Sequence, residues 1–207
     1  MGFLRGWLAV LLVVAMFPAQ AADPAKVLRV AFDQDPTGFD PQVANDAYSL
    51  WICRAVFDSL LEYDYIRRPY ALKPSTAQSL PEIRDGGRTF VFKIKPGIYF
   101  TPDPAFKDKK REVTAEDYVY SFKRLYDPAL HSPFGYIFDG KLVGDEALKN
   151  NFSYATEIPG LQALDRYTLQ VKLKEPNYLL LERMKGRIAY RRVRLSAGLG
   201  FTSETLG

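Results

Sequence analysis

Side chains that commonly perform catalysis or bind metals are scarce in this sequence. The chain has one cysteine, Cys53, and one histidine, His131. Nucleophilic catalysis needs a nucleophile beside a base, and a zinc site needs several ligands drawn mainly from cysteine and histidine. These two residues supply neither arrangement. We therefore predict that the protein is not an enzyme and holds no metal or cofactor, with a small hydrolase as the competing hypothesis.

Longer motifs support the same prediction. The sequence contains no glycine-rich phosphate loop, no nucleophile elbow and no paired metal motif. Carboxylates are numerous, but no local spacing pairs two of them for acid–base catalysis. The 13 tyrosines and 14 phenylalanines could instead line a cleft and stack on a ligand. For any single ring, packing in the core is the favoured interpretation.

The first 21 residues have the pattern of a secretory signal peptide. Arg5 supplies a positive charge, and the apolar run over 7–17 is too short to span a bilayer. Small residues precede the expected cleavage point, which is after Ala21 or Ala22. Because no cysteine follows the apolar run, lipid attachment there is not expected. The sequence therefore predicts an exported, soluble, periplasmic product.

Charge is distributed unevenly along the chain. The formal net charge is +4, but residues 185–207 contain five basic residues against one acidic residue, and Arg5 adds one more basic residue. Residues 22–184 are therefore close to neutral. Without a basic excess to neutralise phosphates, this part of the chain is not expected to bind nucleic acid.

Two stretches alternate apolar and polar residues as β-strands do: 89–95 and 167–173. The sequence Asp-Gly-Gly at 85–87 predicts a turn before the first strand, because glycine adopts positive φ without steric cost. Pro-Gly at 96–97 predicts a second turn. We expect 98–100 to return from it as the other arm of a hairpin.

A helix signal follows this hairpin. Thr114 lies three residues before Asp117, which is the spacing of a capping box, and the apolar face continues to Leu125. Earlier in the chain, Asn45 or Asp46 can cap another helix.

The apolar spacing of that earlier helix extends over 48–61. Before it, the apolar run at 27–32 predicts a buried first strand.

Taken together, these features resemble the oligopeptide- and dipeptide-binding class of substrate-binding proteins that serve ABC importers. The similarity covers 27–184, and its most specific part is 85–128, where turn, strand, Pro-Gly turn and capped helix follow in the family's order. Supporting matches are Pro36 with Phe39-Asp40-Pro41, Arg54 with Phe57 and Leu60-Leu61, and 163–173 followed by Glu175-Pro176. The chain is thus identified as the N-terminal part of such a protein.

The resemblance implies an α/β fold: the N-terminal portion of a two-lobed periplasmic-binding-protein fold, with a mixed sheet, helices and a peripheral α+β subdomain, and with the second lobe absent. It assigns 1–21 to the signal peptide, 22–55 to the start of the first lobe, and 56–184 to the peripheral subdomain with its return toward that lobe. Residues 185–207 depart from the family as a basic tail, for which we expect no fixed structure. We hypothesise a truncated chain with a frameshifted ending after Met184.

The family holds an extended peptide between its two lobes, and first-lobe contacts follow the Asp-Pro pair. The resemblance therefore implies that Asn45, Asp46 and Ala47 lie near the ligand, while helix capping is the alternative role for Asn45 or Asp46. The expected partners of a monomeric chain are a peptide and an inner-membrane ABC permease complex. Relatives of this architecture carry nickel chelates, haem, sugars or opines, so the cargo stays open. With one lobe alone, we expect peptide binding to be impaired.

Overall fold

Short helices and strands flank a central antiparallel sheet. The computed structural model describes residues 29–107, 109–181 and 189–190. In chain order, its α-helices and strands are α1 (Ala47–Val56), β1 (Asp58–Ser59), β2 (Leu61–Tyr63), β3 (Leu72–Pro74), β4 (Glu82–Arg84), β5 (Thr89–Lys93), α2 (Ala115–Lys123), α3 (Glu146–Asn150), β6 (Leu161–Asp165), β7 (Thr168–Lys172) and β8 (Ala189–Tyr190). All of them lie within one compact unit, Phe32–Arg194.

Four of the described strands form the central sheet, in the order β4-β5-β7-β6. β5 pairs with β4 on one side and along its whole length with β7 on the other. The turn that joins β4 to β5 has φ angles of 52°, 64° and 92° at Asp85, Gly86 and Gly87. The turn predicted at 85–87 is therefore confirmed.

α2 covers one face of this sheet and carries much of the core. Its first turn begins as the capping pattern predicts, since the Thr114 N–H donates to Asp117 Oδ2 at 2.8 Å. Tyr118 and Phe122 are fully buried, and the Phe122 ring lies 5.2 Å from that of Phe138. The α-helix ends at Lys123 and continues as a 3-10 turn over Arg124–Tyr126.

Two sequence predictions on the N-terminal side are wrong. The helix predicted over 48–61 ends at Val56, because Phe57 is extended and the following residues pair as β2 with β3. Within the predicted first strand, 29–32 are not in a strand. No neighbouring strand pairs with them in the described part of the chain.

The hairpin prediction for the segment after 96–97 is also wrong, because this segment pairs with a different part of the chain. Gly97 turns with φ of 78°, but 98–100 pairs with 111–113 instead of β5. The Phe100 N–H donates to Arg111 O at 2.9 Å, and the Val113 N–H donates to Ile98 O at 2.8 Å. β5 cannot accept this return segment because β4 and β7 occupy both of its edges.

The domain boundaries inferred from the sequence stay predictions. Residues 1–21 lie outside the described residues, as does the tail 185–207 apart from β8, which pairs with β1. None of the described helices combines the length and apolar character needed to cross a membrane.

Candidate ligand loop

Residues 37–47, which lead into α1 and include its first residue, are called the ligand loop here, and a helix cap fixes the end of this loop. Asp46 is the N-cap of α1. Its Oδ1 accepts from the Ser49 N–H at 2.8 Å, and its Oδ2 accepts from the Thr37 hydroxyl at 2.5 Å. These hydrogen bonds, first from Ser49 and then from Thr37, hold the pKa of the Asp46 carboxyl well below its usual range. Asp46 is therefore negatively charged near neutral pH, at the positive end of the helix dipole.

The loop turns sharply at Asp40. The Asp40 carbonyl accepts from the N–H groups of Val43 at 3.0 Å and Ala44 at 2.8 Å. The carboxylate of the same residue accepts from the Gln42 N–H at 3.1 Å. These bonds explain the use of Asp before Pro41, because an aspartate side chain stabilises a tight turn locally.

Polar contacts tie this turn to α2 and to the segment that follows it. Asp40 forms a bidentate ion pair with Arg124. Arg124 Nη1 donates to Asp40 Oδ1 at 3.2 Å, and Nη2 donates to Oδ2. The fully buried Gln42 side chain donates from Nε2 to the Ser121 carbonyl, and the Ser132 hydroxyl donates to the Gln42 carbonyl at 2.5 Å. The loop thus takes its position from the far end of α2.

The three residues expected near a ligand lie together at the start of α1. Asn45 and Ala47 are exposed, whereas Asp46 is half-buried. The capping role belongs to Asp46, which leaves the amide of Asn45 available on the surface. The Ala47 N–H lies in the first helical turn, where backbone N–H groups have no partner within the helix.

Aromatic side chains cluster on α1 and on the segment before it. The Phe32 ring lies 4.9 Å from that of Tyr48 and 5.5 Å from that of Trp51. Trp51 is 55% exposed, and Phe39 and Val43 are also exposed. Of the ten residues in α1, Ser49 and Cys53 are buried, and Ala47, Trp51, Arg54 and Ala55 are exposed.

The two residues considered for catalysis, His131 and Cys53, lie in different environments. His131 is an exposed loop residue with φ of 46°. Cys53 is buried, and this burial, with smaller contributions from Asp40 and Asp46, raises the pKa of its thiol to about 11. In the described residues, no three His, Cys, Asp or Glu side chains are grouped to hold a metal.

Sequence reasoning missed the residues that position the loop. Gln42 and Arg124 belong to different segments, and Arg124 lies 84 residues after Asp40. No local spacing connects such residues. The one local signal is Asp40-Pro41 itself, because a residue before proline favours an extended or turn conformation. This signal does not show which remote residues hold the turn.

Comparison with known proteins places the chain in a family. Residues 71–193 match the family described as "Bacterial extracellular solute-binding proteins, family 5 Middle". The chain is 28% identical over 183 residues to the Escherichia coli periplasmic protein YgiS, named as a probable deoxycholate-binding protein; the match covers 84% of this chain and 32% of that protein. It is 38% identical over 126 residues to the E. coli periplasmic oligopeptide-binding protein OppA, a match that covers 60% of this chain and 21% of OppA.

A solved structure shows the same fold. The substrate-binding domain of an oligopeptide ABC transporter from Bacillus anthracis superposes with a TM-score of 0.65 at 22% identity, covering 82% of this chain and 30% of that one. The chain thus spans about a third or less of the length of these relatives. The family match includes α2, the sheet and the described part of the tail. This chain belongs to the bacterial extracellular solute-binding proteins of family 5.

Proposed function

We propose that the chain supplies the ligand loop, and the α+β unit that supports it, to a periplasmic solute-binding protein that delivers peptides to an ABC importer. The tethering of the ligand loop to α2 carries this proposal, because it holds Asn45 and Ala47 exposed on an ordered surface. OppA, among the relatives, is named as a periplasmic oligopeptide binder. The proposed partners of the complete protein are a peptide and an inner-membrane permease.

The exposed groups of the loop suit a peptide backbone. The Asn45 side chain can both donate and accept hydrogen bonds, as a peptide group does. The Ala47 N–H is a further donor. Contacts of this kind recognise the main chain of a peptide and tolerate varied side chains. Asp46 acts indirectly, by capping α1 and so fixing the direction of its neighbours.

A bile acid is the second candidate ligand. The match to YgiS, which is named as a probable deoxycholate binder, covers 84% of this chain. The exposed rings of Phe39 and Trp51 favour an amphipathic ligand, since a steroid presents a broad apolar face. For deoxycholate we expect contacts with Trp51, whereas for a peptide we expect contacts centred on Asn45.

Binding by this chain alone is expected to be weak. A ligand on one surface keeps much of its own area in water, so fewer contacts offset the entropy lost on association. Calorimetry with a mixed tri- to pentapeptide library should therefore show affinity weaker than micromolar. Micromolar or tighter binding would show that the chain forms a complete site.

Weak binding can still locate the site. We expect tri- to pentapeptides at about 1 mM or above, where an interaction of roughly 4 kcal/mol becomes visible, to shift the amide resonances of residues 37–49. Asn45→Ala should reduce these shifts, while Ile83→Ala on β4 serves as a control. Shifts confined to Trp51 with deoxycholate, and none with peptides, would favour the second ligand. No response to either ligand would contradict the proposed site.

A further inference from the structure

The turn between β2 and β3 exposes large apolar side chains at one point. This segment, residues 64–70, is called the hairpin tip. Tyr65 is 86% exposed, Ile66 87% and Tyr70 70%. Single exposed apolar residues are ordinary, but three of them on one short turn indicate a contact surface.

The hairpin tip is held in shape by its own hydrogen bonds. The Asp64 N–H donates to Ala71 O at 2.9 Å, and Asp64 Oδ1 accepts from the N–H groups of Ile66 at 3.0 Å and Arg67 at 3.3 Å. Because the backbone is already ordered, little conformational entropy remains to be lost when the tip meets a partner.

Arginine adds positive charge to the same turn. The Arg68 guanidinium donates to Tyr65 O at 2.8 Å and lies 4.5 Å from the centre of the Tyr70 ring. Arg67 is exposed beside it. With two arginines and one aspartate, the tip has a net positive charge, and the aspartate already accepts two backbone hydrogen bonds.

This combination of groups matches the surface of a bilayer. Tyrosine rings favour the headgroup region, where one end is apolar and the other is hydrated. Arginine places its stem along apolar surface and its charged end toward phosphates. Basic residues are attracted to anionic lipids by about 1 kcal/mol each, which corresponds to about a fivefold change in affinity.

We propose that the hairpin tip docks on an anionic lipid surface, with Tyr65 and Ile66 entering the headgroup region and Arg67 contacting lipid phosphates. This activity goes beyond solute binding and does not depend on the ligand loop. It would bring the protein onto the membrane by a contact of its own. The turn is too small to anchor the chain permanently, so the contact is reversible.

A fluorescent label at the tip tests the proposal. Ile66→Cys, labelled with a polarity-sensitive dye, places one reactive thiol at the tip, because Cys53 is buried and its thiol has a raised pKa. Ile83→Cys, at an exposed position on β4, is the matched control. Residues 1–21 are identical in the two variants, so adhesion through them alone gives no reason for a shift confined to position 66.

With phosphatidylglycerol-containing vesicles, we expect a blue shift at position 66 and none at 83. Adding Arg67→Gln should weaken the response about fivefold, and pure phosphatidylcholine vesicles should give a smaller one. Circular dichroism checks that the labelled variants are folded. Equal shifts at both positions would overturn the proposal. So would a shift at 66 that is the same with pure phosphatidylcholine vesicles and in the Arg67→Gln variant. So would a shift at 66 that requires permease in the membrane, since the partner would then be a protein.

Discussion

In the sheet and α2, the buried side chains are mainly aromatic and aliphatic, whereas the ligand loop is held by an ion pair and a few polar contacts. Phe90, Phe92 and Phe122 are inaccessible to water. The loop instead depends on Asp40 with Arg124 and on the amide of Gln42. Stability should therefore depend mainly on the sheet and α2, and less on the candidate binding surface. Changes in the loop should leave the sheet and α2 largely intact, whereas the loop itself depends on the end of α2.

The largest expected effect comes from removing a ring of the core. Phe122→Ala deletes a fully buried side chain that contacts Tyr118 and Phe138, and should lower the free energy of unfolding by about 3–5 kcal/mol. Trp51→Ala, on the exposed face of α1, should cost less than about 1 kcal/mol. Denaturant unfolding measures both variants. Similar losses would show that α1 contributes as much stability as the core.

Substituting alanine for a glycine in each region should give a smaller difference in stability. A Cβ at Gly160 would lie 2.6 Å from the backbone N and O of Val143, so Gly160→Ala should cost about 1–3 kcal/mol through overpacking. A Cβ at Gly38, in the ligand loop, would meet nothing within 4 Å. Gly38→Ala should therefore be close to neutral in thermal unfolding. If Gly38→Ala is the more damaging of the two, the loop is packed more tightly than its contacts indicate.

The ion pair of the loop should have a modest effect. Asp40 and Arg124 have side chains 35% and 22% exposed, and a double-mutant cycle with alanine should give a coupling of about 1 kcal/mol. Glu62 and Lys73, about half exposed at 3.3 Å, form the control pair and should give a coupling near zero. Equal couplings would mean that Arg124 does not fix the loop.

The smallest effect is a dependence on pH at the helix cap. Because its folded-state pKa is depressed, Asp46 stabilises α1 fully above the usual aspartate range and loses this contribution as the pH falls through the folded-state value. The amide resonance of Ser49 should move over that acidic interval. Asp46→Asn keeps an acceptor without the charge, so its Ser49 resonance should stay nearly constant. An identical acid response in both proteins would assign the titration to another group.

Local features were predictable from the sequence because neighbouring residues determine them. The turn at 85–87 depends on glycine at positive φ, and the start of α2 depends on Thr114 and Asp117. The alternation over 167–173 indicated β7 correctly.

Pairing partners were not predictable. The segment 98–100 has the composition of a strand, but the edges of β5 are taken by β4 and by β7, which lies far along the chain. Likewise, the apolar spacing of 48–61 fits a helix until pairing of β2 with β3 overrides it. At the candidate site, the ligand role of Asn45, Asp46 and Ala47 comes from the family resemblance and stays a prediction. Arg124 was not predicted, because its partner Asp40 is remote in sequence.

Hydrogen exchange of backbone amides tests the separation of the two regions most directly. The Ile94 and Lys172 amides, which donate to Tyr167 O and Gly160 O at 2.8 Å, should exchange only on global unfolding. Those of Ala44 and Leu50, in the ligand loop and α1, should exchange about 100-fold faster or more, through local opening. Equal rates for all four amides would contradict the account, since the loop and the sheet would then unfold as one unit.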